Sequence, residues 1–173
     1  MPKFIGWVPT PPDYIDPFFE LAPVSPSDVV YDLGSGDGRL LFAAIDKGAG
    51  TCVGIDIDPE RIKCAREESR NKGMAGRVTF VEADVMTVDL SQASVILCYL
   101  YPTASAALRP KFEKELKPGT RIVMESFSVP GWKPAKVREL NGKSYFLYTV
   151  PAERTADYDK AADSTSVYSE DYY

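Results

Sequence analysis

A glycine-rich turn between an apolar run and a helical pattern constrains the fold of this 173-residue chain more than any other feature. Val29, Val30 and Tyr31 predict a short buried strand, which runs into an aspartate and three glycines at alternate positions. A helical pattern begins directly after Gly38. Glycine suits such a turn because the chain changes direction within a few residues and its backbone approaches a ligand too closely for a Cβ atom. Free amides at the start of the helix predict a site for a carboxylate or another anion.

A second acid narrows the function of this turn. The β-like run TCVGID ends at Asp56, eighteen residues beyond Gly38, which leaves room for one helix and one return strand. The Asp56 carboxylate is therefore expected beside the glycine loop, at the carboxyl edge of adjacent parallel strands, where it can hold a ribose diol. The glycine spacing is G-x-G-x-G with Asp32 two residues ahead of Gly34, whereas the dinucleotide fingerprint is G-x-G-x-x-G. The pattern resembles motif I of class I S-adenosylmethionine-dependent methyltransferases, with Asp56 at the acidic motif II position. A tight turn without a ligand is the alternative.

Length and hydropathy favour a single domain. A chain of this length with 45% hydrophobic residues can bury a sizeable core. Its longest apolar run, Val95 to Tyr101, has seven residues, fewer than the roughly 18 that span a bilayer. The first twelve residues carry one lysine and no apolar stretch typical of a signal peptide. We therefore expect a cytoplasmic protein without a transmembrane segment.

The absence of histidine excludes several kinds of site. Triads that use histidine, histidine metal ligands and imidazole bases are ruled out, so a general base must be a carboxylate, a tyrosine or water. The three cysteines contain no C-x-x-C pair, and neither disulfides nor a metal site are predicted. Residues 152–173 carry −4 of the net charge of −5. The rest of the chain is nearly neutral, so tight nucleic-acid binding is not expected.

Apolar patterns along the chain predict strands and helices in alternation, followed by a hairpin. Predicted helices cover residues 39–47 and 59–72, with two short pieces within 103–116 divided before Pro110; predicted strands cover 29–31, 51–55, 77–84, 94–100 and 121–127, with two more inside 137–150 joined at Asn141-Gly142. This succession predicts an α/β fold, a Rossmann-like doubly wound seven-stranded methyltransferase sheet with a terminal antiparallel hairpin. The order in class I methyltransferases is 3-2-1-4-5-7-6, with strand seven antiparallel.

The ends of the chain differ in composition from the domain at residues 29–150. Residues 1–28 predict an N-terminal arm with a short helix that is capped by Thr10 and shortened or kinked at Pro17. The arm either packs on the core or covers the cofactor. Residues 151–173 form an acidic tail with few aliphatic side chains, which we expect to be mobile or to dock as an extended segment.

Longer motifs narrow the resemblance. The blocks VPTP (8–11), YDLGSGDGR (31–39), VGIDIDPERI (53–62), LRPKFEKELKPGTRIV (108–123) and PGWKP (130–134) resemble the small archaeal protein lysine methyltransferases and their mitochondrial relatives. The D/N-P-P-Y/F motif of enzymes that methylate exocyclic amino groups of bases or glutamine is missing after strand four. The resemblance implies S-adenosylmethionine as cofactor, S-adenosylhomocysteine as product, and a protein substrate that presents a lysine for direct in-line transfer.

The resemblance also assigns site residues. Those assigned to cofactor binding are Thr10, Asp32, Gly34, Ser35, Gly36, Asp56, Ile57, Asp84, Val85 and Tyr99, with Asp84 by the adenine amino group. Those expected to line an aromatic channel for the amine are Tyr99, Tyr101, Phe127, Trp132 and, from the arm, Trp7. Phe127 and Trp132 also fit the core. Because family members usually have Phe-Leu and a small or aliphatic residue where this chain has Tyr99 to Tyr101, the substrate stays open. A small-molecule methyltransferase and a non-catalytic cofactor-binding scaffold are the alternatives.

Overall fold

The computed structural model describes residues 10–100 and 102–163. Trp7 and Tyr101 lie outside the described residues. The α-helices are α1 (Asp16–Leu21), α2 (Arg39–Asp46), α3 (Pro59–Asn71), α4 (Pro102–Glu115) and α5 (Tyr158–Asp163), and a 3₁₀ turn covers Pro12–Tyr14. The strands are β1 (Val29–Leu33), β2 (Thr51–Asp56), β3 (Val78–Glu82), β4 (Val95–Cys98), β5 (Arg121–Glu125), β6 (Trp132–Lys133), β7 (Lys136–Leu140), β8 (Lys143–Thr149) and β9 (Glu153–Arg154).

Seven of these strands form one sheet in the order β3-β2-β1-β4-β5-β8-β7. The first five run parallel, whereas β8 is antiparallel to both β5 and β7. Since β6 lies outside this sheet, the order is the predicted 3-2-1-4-5-7-6, and the predicted fold class is confirmed. The order reverses direction between β1 and β4, which is where open α/β sheets bind ligands at their carboxyl edge.

Each face of the sheet packs against its own helices. Val30, Leu97 and Val123 point to the face covered by α1, α2 and α3. Ile96 and Ile122 point to the opposite face, which α4 covers. Because side chains alternate along a strand, Asp32 and Glu125 belong to the first face, together with the N-terminal arm.

The helix α4 is continuous, although two pieces divided before Pro110 were predicted. Leu108 and Phe112 lie on either side of this proline and are both fully buried in the core. Their burial holds the two halves in one line against the sheet, at the cost of one backbone hydrogen bond. The helix prediction was therefore wrong at this point because packing outweighs a local breaker.

The arm also begins differently from the prediction. Its 3₁₀ turn starts at Pro12 with Pro11 at the cap position and no side-chain cap, so Thr10 is not the predicted N-cap. The α-helix proper starts only at Asp16, with Pro17 in its first turn. Proline is tolerated there because the amide that it lacks would have no helical acceptor.

The first part of the predicted tail packs on the domain. Strand β9 pairs with β6, and the side chain of Tyr158 in α5 lies between two arginines, Arg109 at 4.3 Å and Arg154 at 4.1 Å. Its hydroxyl donates to Glu113 at 2.6 Å. Residues 151–163 are thus docked on the domain through the pairing of β9 with β6 and through the Tyr158 side chain. The low aliphatic content of this segment did not indicate such a contact. Residues 164–173 lie outside the described part of the chain.

We expect Tyr158→Ala to lower the free energy of unfolding by about 1–3 kcal/mol, because it removes two cation–π contacts and one hydrogen bond. Tyr158→Phe is the matched control: it keeps the ring between the arginines and should lose about 1 kcal/mol or less. Urea unfolding of both variants measures the difference. Wild-type stability of Tyr158→Ala would show that this segment does not stabilise the fold.

Candidate active site

The glycine turn lies at the carboxyl edge of the sheet, between β1 and α2. Gly34, Gly36 and Gly38 all have positive φ angles, of 85°, 55° and 84°. A Cβ atom on Gly34 would lie 2.8 Å from the Leu100 side chain. The positive φ angles favour glycine at all three positions, and the short distance to Leu100 leaves no room for a Cβ atom at Gly34.

Four amides of the loop donate hydrogen bonds within the protein. Gly34 and Ser35 donate to the Ile55 carbonyl at 2.8 and 2.9 Å, and Gly36 donates to Asp56 Oδ2 at 2.9 Å. Gly38 closes the turn on the carbonyl of Ser35. The end of β2 therefore fixes the loop through three of its amides, and the anion site at the start of α2 stays a prediction.

Two buried acids face this loop. Asp56 Oδ1 accepts a hydrogen bond from the amide of Asp58 at 2.9 Å, so both of its oxygens are held in place. Burial, together with the charges of Asp56 and Asp37, raises the pKa of Asp32 to about 8. Asp32 is therefore mostly protonated in the free protein at neutral pH, and a ligand with cationic groups would favour its ionised form.

Apolar side chains are exposed along the same edge of the sheet. Ile57, Met86 and Tyr99 follow β2, β3 and β4, with exposed fractions of 53%, 39% and 37%. The half-buried Asp84 and Val85 stand beside them, and Asp84 Oδ1 accepts from the Met86 amide at 2.9 Å. An exposed apolar edge with a carboxylate beside it suits a flat heterocycle that carries an amino group.

The N-terminal arm reaches the end of the loop. The carbonyl of buried Thr10 accepts a hydrogen bond from Arg39 at 3.0 Å, and Arg39 pairs with Asp37 at 2.5 Å. Of the two alternatives for the arm, the described part shows packing on the core through buried Phe18 and Phe19, and a cover over the cofactor stays a prediction. Ser35 is buried against Gly54, and among the described residues its hydroxyl has no hydrogen-bond partner.

The predicted channel residues do not all come together. Tyr99 lies at the carboxyl edge, and half-buried Phe127 follows the end of β5. Trp132 is buried instead between the rings of Phe112 and Tyr148, at 6.2 and 5.6 Å, and its indole donates to Glu113. The structure therefore favours the core alternative for Trp132.

Sequence reasoning missed three residues around Tyr99. Lys143 Nζ lies 4.9 Å from the centre of the Tyr99 ring and 4.7 Å from that of Tyr14, and it pairs with the buried carboxylate of Glu125. One signal was available: the apolar run RIVME ends in an acid, as the runs TCVGID and RVTFVEAD do.

Comparison with known proteins identifies the family. The family model of the ANTKMT methyltransferase domain matches residues 32–136. The chain belongs to this methyltransferase family. It is 42% identical to a protein-lysine N-methyltransferase of Saccharolobus islandicus, over 84% of this chain and 94% of that one. It is 32% identical to the adenine nucleotide translocase lysine N-methyltransferase of Mus musculus over 61% of this chain, and it spans only 46% of the mouse protein.

A solved structure agrees with the family. An RNA methyltransferase from Salinibacter ruber in complex with S-adenosylhomocysteine superposes with a TM-score of 0.83 at 39% identity, covering 88% of this chain and 99% of that one. The protein is an S-adenosylmethionine-dependent methyltransferase. No helix in the described residues is long and apolar enough to cross a membrane.

The residues present fit this cofactor. Once ionised, Asp32 would offer negative charge to its cationic groups, Asp56 would offer an acceptor to the ribose, and Ile57 with Met86 would offer an apolar wall to the adenine. The cofactor supplies a methyl group made electrophilic by a sulfonium. The protein contributes the position of the loop, the buried charge and the apolar edge.

We expect Asp56→Ala to weaken S-adenosylmethionine binding by about 10-fold to 100-fold, because it removes a charged acceptor and releases the Gly36 amide. Gly36→Val should abolish binding, since valine disfavours a φ of 55°. Asp46→Ala, an exposed carboxylate at the end of α2, is the control and should bind as the wild type does. Calorimetric titration measures all three, and unchanged affinity in both site variants would remove the assignment.

The raised pKa of Asp32 predicts pH-dependent binding. A cationic ligand stabilises the ionised carboxylate, so affinity should rise with pH, by up to about tenfold per unit, and level off above the pKa of about 8. Below that pH, each binding event should release a proton, seen as a dependence of the calorimetric heat on the buffer's ionisation enthalpy. Asp32→Asn should remove this dependence; the same proton release in that variant would assign it to another group.

Proposed function

We propose that the protein methylates lysine side-chain amines of other proteins. The observation that carries this proposal is the position of the Lys143 ammonium group, which lies against the Tyr99 ring at the carboxyl end of β4. The glycine loop follows β1, the strand that pairs with β4. The 42% identity to a protein-lysine N-methyltransferase over most of both chains supports the same substrate class.

Methyl transfer to a lysine requires that the amine and the methyl group be held in attack geometry. It also requires a water-poor, aromatic environment around the amine. Direct transfer is an in-line displacement, and holding amine and methyl in attack geometry contributes roughly 7–11 kcal/mol. A lysine with a pKa of about 10.4 must also lose a proton, at a cost of about 4 kcal/mol near pH 7.4. The ring of Tyr99 can hold the cationic amine through a contact worth about 0.5–2 kcal/mol, and Phe127 stays a candidate for a second ring of the channel. We keep Tyr101 as a third candidate for this channel.

RNA methylation is the second candidate, because the similar Salinibacter ruber protein is described as an RNA methyltransferase. The charge of this chain argues against it. The net charge is −5, and outside residues 152–173 the chain is nearly neutral, whereas binding to phosphates needs clustered basic residues.

Labelled S-adenosylmethionine and a cell lysate distinguish these functions. We expect label in protein bands that a protease removes and a ribonuclease leaves, with methylated lysine found by mass spectrometry. Label lost only with ribonuclease would replace the proposal by RNA methylation, and label in small molecules would replace it by the small-molecule alternative. The cytoplasmic location stays a prediction that cell fractionation tests.

Variants of Tyr99 test the channel. If the ring face holds the amine, Tyr99→Phe should keep most of the methylation rate and Tyr99→Ala should lose at least about tenfold. Cofactor affinity should fall less than the rate in both variants. A hydroxyl that orients the amine would instead make Phe nearly as damaging as Ala.

Val137→Ala is the control for Tyr99→Ala, because it removes an exposed apolar side chain on the edge strand β7. Steady-state rates on a lysine peptide decide between these outcomes. Full activity of Tyr99→Ala would place the acceptor elsewhere.

A further inference from the structure

The proposed function leaves one buried charge unexplained. Glu125 ends β5 with an exposed fraction of 0%, and its Oε1 pairs with Lys143. Its Oε2 is also buried and has no hydrogen-bond partner among the described residues. Burying a carboxylate oxygen without a hydrogen-bond partner costs free energy. A buried group of this kind therefore indicates a functional role, such as binding a ligand.

Register places Glu125 next to the methyl-transfer site. Cys98 pairs with Met124, and Leu33 pairs with Cys98, so the next residues along these strands are Gly34, Tyr99 and Glu125 in one row. Adjacent strands lie about 4.8 Å apart, which puts Glu125 about two strand spacings from the glycine loop. Tyr99 stands between them.

The walls around the Lys143 ammonium are aromatic. Tyr14 from the arm and Tyr99 from the sheet lie on it at 4.7 and 4.9 Å. The arm is held there because the hydroxyl of Tyr145 donates to the carbonyl of Tyr14 at 3.1 Å. Two rings and one carboxylate form the environment that a lysine head group prefers.

The backbone next to Glu125 is fixed in an unusual conformation. Ser126 has a φ of 68°, and its amide donates to the Ser144 carbonyl at 2.7 Å. The amide of Phe127 turns back to the carbonyl of Glu125 at 2.9 Å. A positive φ is uncommon for a residue other than glycine. The two hydrogen bonds on either side of Ser126 maintain this conformation and so fix the direction of the backbone at the end of β5.

We propose that Glu125, with the rings of Tyr14 and Tyr99, is the subsite for the ammonium group of the acceptor lysine, and that Lys143 occupies it in the free protein. This inference rests on the proposed lysine methylation and specifies its acceptor side. An incoming lysine displaces Lys143 and takes over its contacts.

Glu125 also accounts for the proton that the acceptor must lose. Burial raises the pKa of Glu125, opposed by the hydrogen bond and charge of Lys143, and so brings it closer to that of the amine. The carboxylate takes one proton from the bound ammonium and passes it to solvent after transfer. The amine nitrogen forms the bond to the methyl carbon with the freed electron pair, as the carbon–sulfur bond breaks and leaves its pair on sulfur.

Chemical labelling of the wild-type protein tests the subsite without methylation. A lysine acylating reagent should label Lys143 slowly in the free protein. Millimolar N,N-dimethyl-n-butylammonium, an alkylammonium that keeps one N–H and forms no amide with the reagent, should accelerate that labelling. Lys136, an exposed lysine at the other end of the hairpin, should be labelled at the same rate in both conditions. Unchanged labelling of Lys143 would overturn its role as occupant.

Kinetics of single variants test the role of the carboxylate. Glu125→Gln keeps the size and removes the charge, and it should lower kcat/KM for a lysine peptide by roughly 100-fold or more while cofactor affinity stays within about twofold. Lys143→Met should lower KM severalfold, since the internal competitor is gone. Lys136→Met is the matched control and should behave as the wild type.

The outcomes separate the two proposals. If wild-type protein methylates no lysine peptide, the proposed function fails, and the labelling experiment still reports on the subsite. If wild-type protein is active and Glu125→Gln retains kcat/KM within about twofold, the subsite is overturned. A purely structural ion pair predicts that Glu125→Gln and Lys143→Met both lower the melting temperature and leave kcat/KM unchanged.

Discussion

The hydrogen bonds between the end of β2 and the glycine loop are the interactions on which the site depends. The Ile55 carbonyl accepts the amides of Gly34 and Ser35, and Asp56 accepts that of Gly36. A loop fixed in this way needs no ligand to keep its shape. These bonds occupy three amides of the loop, and the carboxylates and exposed apolar side chains beside it are further groups that suit the cofactor.

Buried negative charge is the second constraint. Asp32, Asp56 and Glu125 are all buried near the carboxyl edge of one sheet, at β1, β2 and β5. Burying an unpaired charge opposes folding. Clusters of buried ionisable groups are therefore typical of functional sites. One of them, Glu125, is paired internally by Lys143, whereas Asp32 has a pKa near 8 in the free protein. Under the two proposals, one edge of the sheet would therefore bind two cations, the cofactor and the amine.

Much of the fold followed from local patterns. The alternation of apolar runs and helical stretches predicted the α/β class, and the resemblance to class I methyltransferases implied the sheet order. Asn141-Gly142 marked the hairpin, with positive φ at both residues. The position of Asp56 beside the loop followed from the spacing of two motifs. These features are set by residues that are close in sequence or by the standard connection of strands.

Features set by distant contacts escaped prediction. The pair of Glu125 and Lys143 requires the antiparallel register of β5 with β8, which no local pattern encodes. Strands β6 and β9 have two residues each, too few for a period to appear. The course of α4 through Pro110 and the burial of Trp132 depend on packing across the sheet, which outweighs local preference.

The order of strands separates two tasks along the chain. Strands β1, β2 and β3, with the loop and the acids assigned to the cofactor, are complete by Asp84, whereas Glu125, Lys143 and Tyr145 come from β5 and β8. The terminal hairpin is thus a module attached to the far side of β5, with its own turn and an exposed edge at β7. A family built on this plan can exchange hairpins, and with them acceptors, while it inherits the cofactor half unchanged.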